Sequence, residues 1–536
     1  MKSVINIISY FFCFVCFFCQ NIQGQKKLNK QNETIIQVSV SDTLHMIDPM
    51  IYGQMFEDCN DSVIYGGLVN GNGEENPAVR DLLRPLNMPI VRWPAGTYSL
   101  EYNWENGVGP KKERPIVSCI CWGGNDSNLF GTDEFLQWCN SIGTVPYINF
   151  NMGNSPKYAG SLGDALNWLE YVNGPTSSPY GMKRALNGHN HPYNARYWCI
   201  GNENYLSAGV HVAETSQQYS NRLFHWSSTI KQLYPDLRLL GVGHLYNWND
   251  SVLSKNGGLI DFLTLHYYVE CKIKDNAIEN PDYTLFSPAK VEANIKNNLI
   301  YLHKSNLLFE RNNNPIRFSI DEWNNRHSVY DGIKYNFTRK DDRRQFDVVT
   351  VAGMLNVFVR LSPDVGMANY IFPVNGHGLV KTVSDYDAFK TSIYYVFDLY
   401  RQYMIGKKID LNISGPTISL PYSKLKLAGS VNKDIEKQTG NFTYIDGAAV
   451  LNDNSINITV INRSYNMKQK IHLIVPEGYF AECLFKIESS DINASNTASN
   501  RNKIVPIKTI LGTKNKVMDI SLQPCGLALI HYCKIM

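Results

Sequence analysis

The nonapeptide Arg196-Tyr197-Trp198-Cys199-Ile200-Gly201-Asn202-Glu203-Asn204 begins as a short β-type run and ends on a glycine, an amide and a carboxylate. The apolar and aromatic content of Arg196 to Ile200 fits a strand buried on both faces, and the polar residues stand where that strand runs out. Parallel βα barrels carry their chemistry at the C-terminal ends of strands in this way. Seven comparable runs flank it: Ile51 to Phe56, Pro89 to Trp93, Val145 to Phe150, Leu237 to Val242, Phe262 to His266, Arg317 to Ile320 and Met367 to Val374. A longer stretch with helical spacing and turn residues follows each, the mark of βα units. Eight such runs predict a (β/α)8 TIM barrel over residues 49–400, with a doubly wound open sheet as the alternative.

Beyond a helix-like stretch at Tyr394 to Met404 the rhythm changes. Short alternating runs such as Ile456 to Ile461 and Lys470 to Val475 alternate with Asn, Gly and Ser turns, predicting an all-β, jelly-roll-like sandwich over residues 401–536. The early run Thr34 to Ser41 has the same alternation, so residues 25–48 are expected to supply a strand to that sandwich. Ser489 to Lys503, rich in Ser, Asn and Thr, reads as a mobile loop of the same module. At the other end, Lys2, the apolar run Val4 to Cys19 and the polar Gln20 to Gly24 read as an export signal over residues 1–24. The expected location is therefore periplasmic or extracellular, with no membrane insertion once the signal is removed. Nine cysteines then remain, an odd and scattered set that does not describe a disulfide framework; Cys119 and Cys121 lack zinc-knuckle spacing.

Composition narrows the partner. The chain has 536 residues, 44% apolar and 18% charged, and its formal charge of +3 is not gathered into a basic run, which argues against nucleic acid. Aromatic residues make up 12%, including nine Trp and 32 Tyr, and their faces stack on the C–H faces of sugar rings as well as on each other.

The fourth run ends in Glu203 and the seventh in Asp321-Glu322-Trp323, which puts two glutamates across one barrel mouth. Glycoside hydrolysis requires such a pair, one to protonate the leaving oxygen and one to attack the anomeric carbon. The motifs in which they stand resemble the clan A glycoside hydrolases, and more closely the family 51 α-L-arabinofuranosidases. The resemblance rests on Tyr52-Gly-Gln-Met-Phe-Glu57, Val91-Arg-Trp-Pro-Ala-Gly96, Tyr102-Asn-Trp104, Trp122-Gly-Gly124, Phe130-Gly-Thr-Asp-Glu-Phe135, Gly201-Asn-Glu-Asn204, Leu265-His-Tyr-Tyr268 and Asp321-Glu-Trp323, and spans nearly the whole chain after residue 24. It implies a retaining hydrolase with Glu203 as general acid/base and Glu322 as nucleophile. It further implies Glu57 on the sugar, Arg92 beside the nucleophile, Asn202 on the sugar 2-hydroxyl, and His266 and Tyr268 holding the two glutamates. Trp323 and Trp104 are candidates for stacking on sugar rings. Members of this kind assemble through their barrels, which admits a homo-oligomer.

One position departs from the pattern. Family members carry a glutamine at the tip of the eighth strand, and here Phe372 stands there; Thr97-Tyr98 departs in the same subsite. The implied substrate is an arabinose-containing plant-type polysaccharide or oligosaccharide, attacked from its ends. Phe372 keeps open another furanoside, or β-glucan or xylan, and a non-catalytic glycan-binding relative is the reading from a different class. Burial and a neighbouring negative charge are expected to raise the pKa of Glu203. The chemistry requires no metal and no organic cofactor.

Overall fold

The computed structural model describes residues 33–40, 45–513 and 517–535, and the export segment read at residues 1–24 lies outside the described residues. Eight strands form the barrel in chain order: Gly53–Met55, Ile90–Trp93, Val145–Phe150, Tyr197–Ile200, Arg238–Val242, Phe262–Lys274, Arg317–Tyr330 and Val365–Ile371. These are barrel strands 1 to 8. Each pairs in parallel with the next, and the eighth closes on the first through Asn369↔Gly53, Tyr370↔Gln54 and Ile371↔Met55.

Alternation along the strands sorts side chains between the barrel interior and the helices outside. Ile90, Tyr147, Cys199, Leu240, Phe262 and Met367 pack together as the apolar floor of the interior. Two residues further along, Arg92, Asn149 and Asn369 replace them, so the interior turns polar toward the C-terminal mouth.

Strand 7 breaks the alternation. Its register against strand 6 shifts between Ser319 and Glu322, and against strand 8 between Ile320 and Trp323. The irregularity turns two consecutive carboxylates, Asp321 and Glu322, toward the interior, as a β-bulge can. It also settles Trp323, which the sequence reading put on the sugar. Its ring is fully buried among Phe358, Tyr370 and Phe397 on the helix side of the strand, and touches no part of the mouth.

The C-terminal strands form a sandwich of two sheets joined along Lys407–Ser414, which pairs with Glu33–Ser39 on one side and Ile445–Asn452 on the other. Between barrel and sandwich runs the helix Gln345–Arg360, mostly apolar and buried on every side from Gln345 to Val359. Gln345 Nε2 donates to the carbonyls of Ile487 and Cys525 and fastens this helix to the sandwich.

Two segments read as parts of the sandwich serve the barrel. Leu427–Gly429 adds an antiparallel strand to barrel strand 6, through Leu427↔Val269, Ala428↔Tyr268 and Gly429↔Tyr267. The Ser489 to Lys503 segment, expected to be mobile, docks on the start of the buried helix, where the carbonyls of Ala494 and Ile492 accept the N–H groups of Gln345 and Phe346. Those N–H groups are among the unsatisfied donors that open every helix, which gives a polar loop a fixed place to bind. Trp323→Ala is expected to cost about 3–5 kcal/mol of folding stability, the range for truncating a buried aromatic; a loss below about 1 kcal/mol in urea unfolding would contradict the outward placement of this ring.

Candidate active site

The mouth is assembled around Arg92, at the end of strand 2, which has no exposed surface. Its Nη1 donates to Glu322 Oε1 at 2.8 Å and lies 3.5 Å from Asp321 Oδ2; its Nη2 donates to Asn202 Oδ1 at 2.6 Å and Asn149 Oδ1 at 3.4 Å. Asp321 also accepts from Tyr147 Oη at 2.9 Å. One guanidinium thus ties together the ends of strands 2, 3, 4 and 7.

Glu322 is held on its other oxygen by the hydroxyl of Tyr268. His266 and Tyr268, two apart on strand 6, both face inward, while Tyr267 between them is buried in the outer core. His266 Nδ1 lies 2.8 Å from Glu203 Oε1 and 3.4 Å from Glu322 Oε2, and its Nε2 lies 3.2 Å from Asp321 Oδ1. A space between Glu322 and strand 2 is kept by Gly96, where any Cβ would collide with the carboxylate.

Glu203 follows strand 4 with a positive φ of 44°, a left-handed turn that swings its carboxylate back over the mouth. Tyr205 Oη donates to Glu203 Oε1 at 3.1 Å. An oxygen of Glu203, an oxygen of Glu322 and a ring nitrogen of His266 all lie within 4.8 Å of one another. Next to Glu203, the Nδ2 of Asn202 is buried without a hydrogen-bond partner among the described residues, so it retains a donor for a ligand.

Glu57 accepts from Gly96 N at 3.1 Å and Asn60 Nδ2 at 2.5 Å. Burial, and then the charge of Glu322, push its pKa up to about 7. His266 goes the same way: burial opposes its charge, but Glu322, Glu203 and Asp321 prevail and raise it to about 10. Glu203 departs from the sequence expectation. Burial acts to raise it, yet the charge and hydrogen bond of His266 win and its pKa is lowered. The expectation counted the nearby negative charge and burial but not an imidazolium at 2.8 Å.

Glu57, Glu203, Tyr268 and Glu322 line a pocket of about 210 Å3, behind whose wall Arg92, Asn202 and His266 are buried. Phe372, 1% exposed, also lines it, where the family pattern has an amide. Trp104 does not reach it. That ring stacks on Trp168 at 5.9 Å, donates to Asp164 O at 3.2 Å, and borders a separate groove of about 600 Å3.

The pocket also contains residues that the sequence reading did not assign. Asn324 and Arg326 continue the inward face of strand 7 at intervals of two from Glu322, a spacing that could have revealed them. The Arg326 guanidinium lies over the Tyr268 ring at 3.2 Å. Arg339, ion-paired to Asp61 at 2.8 Å, and Ala428 and Gly429 come from distant segments with no local signal.

Two domain models of one family match the chain: the α-L-arabinofuranosidase 1 domain over residues 82–283 and the α-L-arabinofuranosidase C-terminal domain over residues 321–525. A probable α-L-arabinofuranosidase C of Aspergillus clavatus is 32% identical over 466 residues, which are 82% of this chain and 86% of that one. The chain belongs to the family 51 α-L-arabinofuranosidases. Within that family, the α-L-arabinofuranosidase of Thermotoga maritima, solved with arabinose, matches with a TM-score of 0.75 at 25% identity over 94% of this chain and 99% of that one. An intracellular exo-α-L-arabinofuranosidase of Bacteroides ovatus is 27% identical over 432 residues, covering 76% and 81% of the two chains.

The titrations of Glu57 and His266 carry a signed consequence. Glu57 keeps its proton in the fold to about pH 7 but loses it near 4.5 when unfolded, and His266 keeps its proton to about 10 rather than 6.5. The folded chain binds more protons in both windows, so each group lowers stability as pH rises through its window. The contribution of His266 is complete below pH 6.5 and gone above about 10. Glu57→Gln is expected to flatten the thermal-unfolding midpoint between pH 4.5 and 7 and leave the alkaline decline in place; an unchanged acid-side slope would refute the assignment.

Proposed function

We propose that this chain releases terminal α-L-arabinofuranosyl residues from arabinose-containing polysaccharides or oligosaccharides with net retention, using Glu322 as nucleophile and Glu203 as general acid/base. The observation that supports the assignment most strongly is the separation of the two carboxylates, with oxygens within 4.8 Å. Retaining enzymes hold the pair about 5–5.5 Å apart so that one can attack directly, whereas inverting enzymes need about 6.5–9.5 Å to admit a water.

In the first step Glu322 Oε1, held by Arg92, or Oε2, held by Tyr268, attacks the anomeric carbon. The leaving oxygen takes a proton from Glu203. In the free site that proton is drawn toward His266 Nδ1, and entry of the sugar, which displaces water, returns it to the carboxyl across the 2.8 Å contact. Formation of the glycosyl ester removes the negative charge of Glu322. Glu203 then accepts a proton from water, and the second displacement restores the configuration. Asn202 Nδ2 supplies a donor to the sugar, and a hydrogen bond to the 2-hydroxyl strengthens as charge develops on the ring.

Phe372 favours a second reading of the glycone. A ring in place of an amide leaves a sugar hydroxyl unpaired, and such a mismatch discriminates strongly between substrates. Phe372→Gln is expected to shift the ratio of kcat/KM for α-L-arabinofuranosides over other furanosides by about tenfold or more toward arabinose; an unmoved ratio would detach this residue from glycone choice.

Residues 1–24 support export to the periplasm or cell exterior, by their charge, apolar run and polar end. N-terminal sequencing of the protein from fractionated cells tests this, and an intact Met1 in the cytoplasm would overturn it.

The catalytic roles are tested on an aryl α-L-arabinofuranoside whose leaving group needs no protonation. Glu203→Ala is expected to lose about 10²–10⁴-fold in turnover and to recover with azide, giving an arabinosyl azide of retained configuration. Glu322→Ala is expected to lose turnover and, where azide restores it, to give the azide of inverted configuration by a single displacement. An inverted azide from Glu203→Ala, a retained azide from Glu322→Ala, or unaided turnover surviving Glu322→Ala would rule the mechanism out.

A further inference from the structure

Two thiols and a carboxylate gather beside the pocket, outside the hydrolytic groups. The hairpin formed by Val117–Ser118 and Asn125–Asp126 carries Cys119 and Cys121 immediately before Trp122, whose side chain lines the pocket. Their Sγ atoms stand 3.8 Å apart. A disulfide would hold them at about 2.05 Å. Two thiolates on a tetrahedral zinc ion, each at about 2.3 Å, stand about 3.8 Å from one another.

Glu101 completes a triangle, with a carboxylate oxygen within 4.8 Å of both sulfurs. Its Oε1 accepts the backbone N–H groups of Ile120 and Cys121, each at 3.0 Å, which fixes the carboxylate against the hairpin turn. Its Oε2 is buried and has no hydrogen-bond partner among the described residues, and the residue as a whole is only 9% exposed. A buried carboxylate oxygen with nothing to bond is costly, and a cation would relieve it.

Two carboxyl groups stand nearby: Asp58, with no exposed surface and no hydrogen-bond partner on either carboxylate oxygen among the described residues, and Asp126. On the remaining side a Cβ at Gly209 would come within 2.7 Å of Cys121 Cβ, so the loop that begins at Glu203 leans directly on the cluster.

We propose that Cys119, Cys121 and Glu101 bind a thiophilic divalent cation of the zinc class that pins Trp122 over the catalytic pocket. Thiolate ligands select zinc over calcium or magnesium, and three protein donors leave the fourth tetrahedral position to water. The ion would tie Glu101 to the hairpin within the long loop after strand 2, at the point where the loop after strand 4 presses on it.

The binding test is independent of the hydrolase reading, which matters only for its activity arm. The full chain, reduced and stripped of metal, is titrated with Zn2+ against a chromophoric zinc chelator. One zinc per chain is expected to resist the chelator in the wild type. Cys119→Ser/Cys121→Ser, confirmed as folded by circular dichroism, is expected to retain none, and Cys533→Ser is expected to retain the full amount. Glu101→Gln, which preserves shape, is expected to release zinc at lower chelator concentration should the double variant not fold. Co2+ in place of zinc is expected to give the thiolate charge-transfer band of a tetrahedral site. A wild type that holds no zinc, a folded double variant that holds as much as the wild type, or an unreduced chain with Cys119 in a disulfide would each overturn the site. In the activity arm, metal removal is expected to raise KM about three- to tenfold with a smaller change in kcat, since a displaced positioning group weakens substrate placement. An unchanged KM would overturn the role given to Trp122.

Discussion

A guanidinium with no surface in water is tolerable only when oxygens surround it, and Arg92 is in that position. Its partners arrive from different strands: Glu322 and Asp321 from the seventh, Asn202 from the fourth, Asn149 from the third. Withdrawing Glu322 or Asp321 would leave charge uncompensated in a buried place, at a cost of about 3–5 kcal/mol for a broken buried pair, and withdrawing either asparagine would leave a buried N–H short of an acceptor. The four strand ends are therefore held in one arrangement by mutual need. Both glutamates inherit their placement from it, Glu322 by direct contact and Glu203 as the neighbour of Asn202. The bulge in strand 7 belongs to the same constraint, because only a shifted register lets Asp321 and Glu322 both face the arginine.

That frame also governs the protons. Three carboxylates crowd His266, and together they outweigh the burial that opposes its charge. The imidazolium in turn lowers Glu203, while Glu57, which faces Glu322 across the pocket, is raised to about 7. The free site is thus organised as a reservoir: protons rest on His266 and partly on Glu57, next to Glu203, the proposed acid/base, rather than on it. In the proposed mechanism a sugar that excludes water from the 2.8 Å contact between His266 and Glu203 favours the neutral pair over the charged one, and proton delivery follows from occupancy of the pocket.

Much of this was legible in the residues. The eight runs gave the barrel, and polar residues at the ends of the fourth and seventh gave the glutamates, because strand periodicity and strand ends are local properties. Arg92, Asn202, His266 and Tyr268 were reached through motif resemblance, and the mouth brings them together. Trp323 failed for a specific reason. Regular alternation from Asp321 would turn Glu322 outward and Trp323 inward; the bulge reverses both, and no residue type in Ile320 to Trp323 announces it. Asn324 and Arg326 followed by simple counting once Glu322 was placed. Arg339, Ala428 and Gly429 come from segments whose approach depends on the whole fold. Glu101 and Cys119 escaped because ligand spacing was sought along the chain, whereas the carboxylate reaches the thiols through its grip on two backbone N–H groups.

The position of Leu427–Gly429 changes how the C-terminal half should be understood. The chain leaves the sandwich after Lys407–Ser414, lays these three residues along strand 6, and returns to it at Ile445–Asn452. Gly429, at a φ of 107°, lies so close to His266 that a Cβ would strike its carbonyl oxygen, and Ser430 N donates to that same carbonyl at 2.9 Å. The backbone that carries the imidazole is therefore clamped from outside by a segment whose two ends are rooted in the sandwich. Ala428 and Gly429 are also wall residues of the pocket. A barrel without its sandwich would lose this edge strand, the clamp on His266 and one side of the sugar site together. The sandwich is in this sense part of the catalytic unit, and its two sheets act as an anchor for a strand that the barrel cannot supply for itself.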